Sequence, residues 1–254
     1  MTAAHAAPRH MPNDTAAPLI WVDGRRADAS SAGLSPLDRG FTLADGLFET
    51  MRLYQGAPFR LDAHLRRLAE GAAVLGIAIP ADVPDTIAAA LAVVRDLRWA
   101  DAAVRLTVSR GIAARGLAPP PRAEPTVVVT INQIPPREPL AARSVAVCIT
   151  PARRNEFAAT AGVKTLAYVE SVVALAHARA AGHDDAIFLD TAGHVSEATT
   201  SNVFIVDGST LRTPPRACGV LAGITRAAVL ELAPTLGLQV REEVLTPRDL
   251  SDAG

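Results

Sequence analysis

The fold class predicted from the sequence is α/β (α+β), in two units with mostly antiparallel sheets, and three observations predict it. Stretches of strand and helix periodicity mix in both halves. Hairpin-turn signals occur in each, at Asp23-Gly24, Gln55-Gly56 and Asp207-Gly208, and prolines crowd residues 132–139 between the halves. No G-x-G-x-x-G follows Leu189, which argues against a dinucleotide fold.

Each element has its own reason. Residues 1–18, rich in Ala and Pro without a continuous apolar run, read as a disordered extension rather than a secretory leader. Two short strands flank Asp23-Gly24 within 19–29, because that dipeptide accepts the positive φ of a tight hairpin turn. A second such unit spans 47–60, broken at Gln55-Gly56. Asp62 is placed as the cap of a helix carrying Leu65, Leu68, Ala72 and Leu75 at spacings of three and four. A helix across 86–97 and strands at 104–109 and 127–131 complete an N-terminal domain at 19–131. Pro135, Pro136 and Pro139 cannot continue a helix or an interior strand, so 132–139 is read as the linker. The C-terminal domain, 140–254, takes strands at 145–150, 186–190, 202–206 and 211–213 and helices at 169–181 and 224–236.

With 254 residues, 49% of them hydrophobic, 20% charged and a net charge of -1, the chain reads as soluble and globular, with neither nucleic acid nor a membrane as partner. No run of about 18 apolar residues would span a bilayer, and a cytoplasmic location is expected. Cys148 and Cys218 are too few for a disulfide framework and are not spaced for metal or redox work. They read as small core residues, and no metal is expected.

Four features could carry chemistry. Gly223-Ile224-Thr225-Arg226 precedes an apolar-periodic helix, where unpaired N–H groups and the positive dipole end suit a phosphate; a plain helix cap fits these residues as well. Lys164 is the only lysine in the chain and has apolar and small neighbours. A solvated surface charge is the ordinary reading, yet a single amine kept among arginines suggests a group that must lose its proton, which Arg cannot do. Glu197 stands before Ala198-Thr199-Thr200-Ser201-Asn202 and is either a turn residue or the partner of a protonated ring nitrogen. Thr199, Thr200 and Ser201 offer hydroxyls to a cofactor or substrate. In His64-Leu65-Arg66-Arg67-Leu68 the two arginines point in different directions, and one of them could grip a phosphate.

Together and in this order, these features resemble the fold-type IV (class IV) pyridoxal-phosphate enzymes, a family with branched-chain and D-amino acid aminotransferases and aminodeoxychorismate lyases. Asp38-Arg39-Gly40 with Asp45-Gly46-Leu47-Phe48-Glu49-Thr50 resembles the N-terminal signature, and His64-x-x-Arg67-Leu68 the phosphate-binding motif, which selects Arg67. The resemblance implies pyridoxal 5'-phosphate as cofactor, Lys164 as its Schiff-base lysine and Glu197 as the partner of its ring nitrogen. Gly223, Ile224 and Thr225 would form the phosphate cup, with Thr200 and Ser201 also at the cofactor. It implies a small N-terminal domain, a larger C-terminal domain with the cofactor between them, and a homodimer. The reaction expected is amino transfer between an amino acid and a 2-oxo acid, with Lys164 moving the proton.

Ser109 to Leu117 resembles the R-G-x-x-x-R-G loop of the lyases and their relatives, which makes Arg110 or Arg115 a candidate for a substrate carboxylate. Phe48, Tyr168 and Thr199 join the expected substrate site. Ala167 stands where many lyases have Asn, and Phe48 where D-amino acid enzymes often have Tyr. The alternatives are an aminodeoxychorismate lyase releasing pyruvate and 4-aminobenzoate, or a cofactor-binding protein of weak activity. The family pattern continues into a strand and a Thr/Ser-rich loop beyond the point where this chain stops at Gly254, which is read as truncation or loss of site walls.

Overall fold

A computed structural model describes residues 17–135 and 144–252. Most of the expected extension and the second half of the expected linker therefore lie outside the described residues. The chain divides into two compact units, Met1–Glu138 and Pro139–Gly254. Among the described residues no helix is long and apolar enough to cross a membrane.

In the first unit the elements are β1 (Leu19–Val22), β2 (Arg25–Ala27), α1 (Arg39–Leu43), β3 (Gly46–Tyr54), β4 (Ala57–Pro58), α2 (Leu61–Leu75), α3 (Val83–Asp96), β5 (Asp101–Ser109) and β6 (Thr126–Gln133). The strands form one antiparallel six-stranded sheet in the order β2-β1-β6-β5-β3-β4. Alternation makes its inner face: Val104 and Leu106 of β5 and Val129 and Ile131 of β6 are buried with Leu47, Met51 and Leu53 of β3. Leu68 and Ala72 of α2 and Ile87 and Val94 of α3 cover that face.

Three boundaries differ from expectation for identifiable reasons. Asp62 sits inside the first turn of α2, where its charge suits the dipole; the N-cap is Arg60, in the left-handed region and without a side-chain cap bond. With Pro84 in its first turn, where a proline costs no hydrogen bond, α3 begins at Val83, three residues earlier than expected. Asn132 and Gln133, read as linker, complete β6 by pairing with Ala103 and Ala102.

The second unit contains β7 (Val147–Arg154), α4 (Val169–Ala180), β8 (Asp185–Asp190), β9 (Val195–Ala198), β10 (Ile205–Asp207), β11 (Thr210–Thr213), α5 (Ile224–Leu232), β12 (Gln239–Glu242) and α6 (Pro247–Asp252). Its sheets run β7-β8-β9 and β10-β11-β12. Here mostly antiparallel pairing gives way to an even mixture: β7 with β8 and β11 with β12 are parallel, β8 with β9 and β10 with β11 antiparallel. Each parallel pair is joined through a helix, the crossover that parallel neighbours require. Phe188 packs with Ala174 and Ala178 of α4, while Ile187 and Leu189 face Ile205 and Leu245. The helix expected to 236 stops at Leu232 and tightens into a 3₁₀ turn, Ala233–Leu236, because Pro234 has no N–H to continue it. Asn202, expected in a strand, instead makes an isolated bridge to Glu197.

Cys218 is buried, and burial followed by the neighbouring Asp190 pushes its thiol up to about 11. Asp190 also accepts the backbone N–H of His194 at 2.8 Å and lies 3.1 Å from its Nδ1, which closes the β8–β9 turn.

Candidate active site

Lys164 lies between β7 and α4. Thr165 N–H bonds to the Val163 carbonyl and Tyr168 N–H to that of Leu166, a tight path that leads into α4 with Tyr168 as N-cap residue. Gly162, at φ 73°, permits the turn into this segment. Lys164 Nζ donates to Tyr168 Oη at 3.0 Å, four residues on, so the amine is half-buried and oriented.

Glu197 comes from β9, and its side chain is only 14% exposed. Its Oε2 accepts the Leu221 N–H at 3.0 Å, and its Oε1 lies 3.4 Å from Arg154 Nε. Burial pushes its carboxyl above the ordinary range, opposed by the Leu221 hydrogen bond and the charges of Arg154 and Lys164. The lone lysine and Glu197 thus act on one another. Glu197, Tyr168, Arg154, Ser171 and Leu221 line a cavity of about 250 Å³.

The phosphate-cup residues are tied to the same place through Asn202. Its Nδ2 donates to the Leu221 carbonyl at 3.0 Å, and its Oδ1 would lie 1.9 Å from a Cβ at residue 223, so only glycine fits before α5. Gly223 is the N-cap residue of α5, with Ile224 and the exposed Thr225 in its first turn. Arg226 turns inward to the Pro214 carbonyl and Glu242.

The remaining expected residues have the following surroundings. Thr200 and Ser201 are exposed beside Glu197. Thr199, expected to face substrate, is buried just beyond β9 and donates to Asp185 Oδ1 at 2.6 Å. Arg67, in the first unit, is gripped by Glu49: Nε donates to Oε1 at 2.7 Å and Nη2 to Oε2 at 2.6 Å, with His64 Nδ1 2.7 Å from Oε2. Phe48, on the opposite face of β3 from Glu49, lies under the Arg105 guanidinium at 3.7 Å. Arg110, a candidate for a substrate carboxylate, instead spends its donors on Asp45 and the carbonyls of Leu75 and Gly76, because the strand end buries it under the close of α2. Arg115 is exposed and lines a cavity of about 400 Å³ with Leu37, Leu43 and Leu117.

Glu49 shares the inner sheet face with Leu47 and Met51, and its carboxylate is wholly buried. Burial raises its pKa, but the bonds from His64 and Arg67 outweigh this and hold it below the ordinary value. Its stabilising contribution is therefore present above the unfolded-state pKa and lost as pH falls through the lower folded value. Glu49→Gln is expected to cost roughly 1.5–3 kcal/mol, the worth of charge-assisted bonds, and to flatten the acid limb of stability measured by urea unfolding against pH.

Sequence reasoning missed Arg154, Asn202 and Leu221 as members of the site. Pro151 obscured Arg154 by ending the expected strand at 150, whereas β7 passes the proline with a register shift between Ile149 and Arg153. Asn202 and Leu221 left no residue-type signal beyond their nearness to Glu197 and Gly223.

A mixed α/β fold that sets a single oriented amine against a buried carboxylate, with a glycine-led helix start stitched to that carboxylate's loop, defines an enzyme of carbonyl and amine chemistry. A family model described as amino-transferase class IV matches residues 46–254. The chain belongs to that family. It is 37% identical over 235 residues to a putative branched-chain-amino-acid aminotransferase of Methanocaldococcus jannaschii, covering 92% of this chain and 81% of the relative. It is 34% identical over 229 residues to the aminodeoxychorismate lyase of Bacillus subtilis, covering 88% and 76%. Among solved structures it resembles the branched-chain amino acid aminotransferase of Escherichia coli, with a TM-score of 0.84 at 26% identity, covering 94% of this chain and 80% of that one. It also resembles a branched-chain amino acid aminotransferase complexed with N-(5'-phosphopyridoxyl)-L-glutamate, with a TM-score of 0.83 at 28% identity and the same two coverages, 94% and 80%. Enzymes of the family depend on pyridoxal phosphate, and the residues present fit it: an amine, a buried acid beside a cavity, and unpaired N–H groups at a helix start.

Proposed function

We propose that this enzyme is a pyridoxal-phosphate-dependent aminotransferase acting on an amino acid and a 2-oxo acid, with Lys164 as its catalytic residue. The observation that carries this reading is the one lysine, oriented by Tyr168, set within electrostatic reach of the mostly buried Glu197, whose carboxylate accepts the Leu221 N–H. When bound, pyridoxal phosphate supplies an aldehyde for the amine and a ring that withdraws electrons from the substrate α-carbon.

The chain's own residues do the rest. Lys164 Nζ takes the proton from the substrate α-carbon and returns it to the neighbouring acceptor carbon, and Tyr168 Oη keeps the amine in line between them. Glu197 holds a proton on the ring nitrogen by facing it as an anion. The backbone of Ile224 and Thr225 and the Thr225 hydroxyl meet the phosphate at the positive end of α5. Thr200 and Ser201 stay proposed for the cofactor, Arg67 for its phosphate, and Phe48, Tyr168 and Arg115 for substrate. Arg110 is assigned a structural role.

Substituting Glu197→Gln removes the anion while keeping the shape, and kcat is expected to fall by about 10²–10³-fold with KM changed far less. Equal losses in an unrelated solvent-exposed Glu→Gln control would refute the assignment. Incubation with L-leucine or D-alanine plus 2-oxoglutarate, and separately with aminodeoxychorismate, tests the reaction. Keto-acid formation from the first supports transfer, whereas pyruvate and 4-aminobenzoate from the second support the lyase that the Bacillus subtilis relative suggests. A homodimer belongs to this reading, supported by Phe41 at 77% and Leu117 at 81% exposure, and light scattering checks it. A cytoplasmic location is supported by the two free cysteines.

A further inference from the structure

Glu197 is mostly buried, yet two cationic side chains act on it, and they differ in kind. Under the reading above, on which this inference rests, Lys164 has an amine whose charge comes and goes during turnover. Arg154 keeps its charge throughout, because a guanidinium does not titrate in this range.

Arg154 ends β7, opposite Asp190 in the register with β8. Its guanidinium carbon lies 4.0 Å from the centre of the Phe188 ring, a ring that is itself fully buried. Nη2 donates to Ser171 Oγ of α4 at 3.0 Å, and Nη1 is 3.5 Å from Glu170 Oε2. Gly219, at φ 74°, passes directly beside the base of this side chain. The guanidinium is thus fixed by the sheet and α4 before Glu197 is considered. Its Nε approaches Glu197 Oε1 at 3.4 Å without making a hydrogen bond, so the pairing works through charge.

We propose that Arg154 is the positioning residue for Glu197: a guanidinium clamped by Phe188 and Ser171 supplies the permanent positive charge that holds this carboxylate in place as an anion. The groups facing Glu197 are Arg154 from β7, Lys164 from the segment before α4, and the Leu221 N–H from the segment before α5. Glu170 of α4, half exposed, is a second carboxylate near Arg154, reaching Nη1 rather than Nε. A planar cation stacked on an aromatic ring keeps its direction, which a flexible lysine at this place would not.

The test reads Glu197 directly, in cofactor-free protein labelled with ¹³C at the glutamate side-chain carboxyl, the resonance being assigned by its loss in Glu197→Gln. Arg154→Met is expected to raise the Glu197 titration midpoint by about one pH unit or more, a tenfold change in proton affinity. Ser171→Ala alters no charge and does not touch Glu197, so a smaller rise there, about 0.3 pH unit or more, reports the clamp acting through Arg154. Pyridoxal phosphate affinity is expected to weaken about tenfold in Arg154→Met. An unmoved midpoint in folded Arg154→Met overturns the proposal, and if that variant does not fold, an unmoved midpoint in Ser171→Ala overturns it. Failure of the wild-type protein to bind pyridoxal phosphate would sink the functional reading instead, and the carboxyl titration would still decide the role of Arg154.

Discussion

Lys164→Ala yields a folded protein whose amino-transfer rate is at least about 10⁴-fold below that of the wild type. The loss is large because the proposed mechanism gives one atom two tasks, holding the cofactor and moving the substrate proton. No other lysine can replace it, since the chain has none. The structural cost is small by contrast: Lys164 is half-buried, and its hydrogen bond to Tyr168 is made to a neutral hydroxyl. Thermal unfolding should therefore move by only a few degrees, as for the loss of roughly 1 kcal/mol. Spectral titration with pyridoxal phosphate and a steady-state assay check the two halves of this expectation. Retention of more than about a hundredth of wild-type turnover in the variant is incompatible with Lys164 as the catalytic amine.

The largest effect on stability is expected at Gly111→Ala. Gly111 has φ 87°, a conformation that a Cβ disfavours, and an added Cβ would stand 1.8 Å from the Glu124 carbonyl oxygen and 2.9 Å from its carbon. Both opposing atoms are backbone, so no side chain can swing aside. The segment must open, and with it the Arg39 N–H bond to the Gly111 carbonyl and the bridge between Asp38 and Ile112. A loss of roughly 3–5 kcal/mol follows from the strained φ and the clash combined. Denaturant unfolding measures it, and a change below about 1 kcal/mol would show that the 110–125 connection yields more easily than its packing implies.

Much of the fold was legible because strands with strict alternation, such as β5 and β6, announce both their extent and their buried face. Helix ends were less so. Pro84 and Pro234 act in opposite ways, one opening α3 and the other ending α5, and a proline's sense depends on which side of it the helix lies. The parallel pairs of the second unit were missed because hairpin dipeptides are local signals, whereas β7 meets β8 only after α4 has carried the chain back.

At the site, Lys164 and Glu197 could be found by residue type, as the lone amine and an acid in a run of small residues. Glu49 was quoted in a motif, but nothing local told that it would lie under α2 on the apolar face and grip Arg67. Arg110, which the sequence left open between a substrate contact and a structural arginine, shows the same effect in reverse. A surface loop position looked suitable for a substrate anion, yet Asp45, far off in sequence, claims it. Charges separated by long stretches of chain pair only once the sheet is assembled, and a sequence read in windows does not see them.

The solitary side-chain amine also makes the molecule its own probe. Any reagent selective for primary amines has one internal address, beside Tyr168, so acylation, reductive alkylation or an isotope on lysine alone would report from that position without mutagenesis. Occupancy, protection by ligands and proton exchange at that atom can each be followed as a single signal.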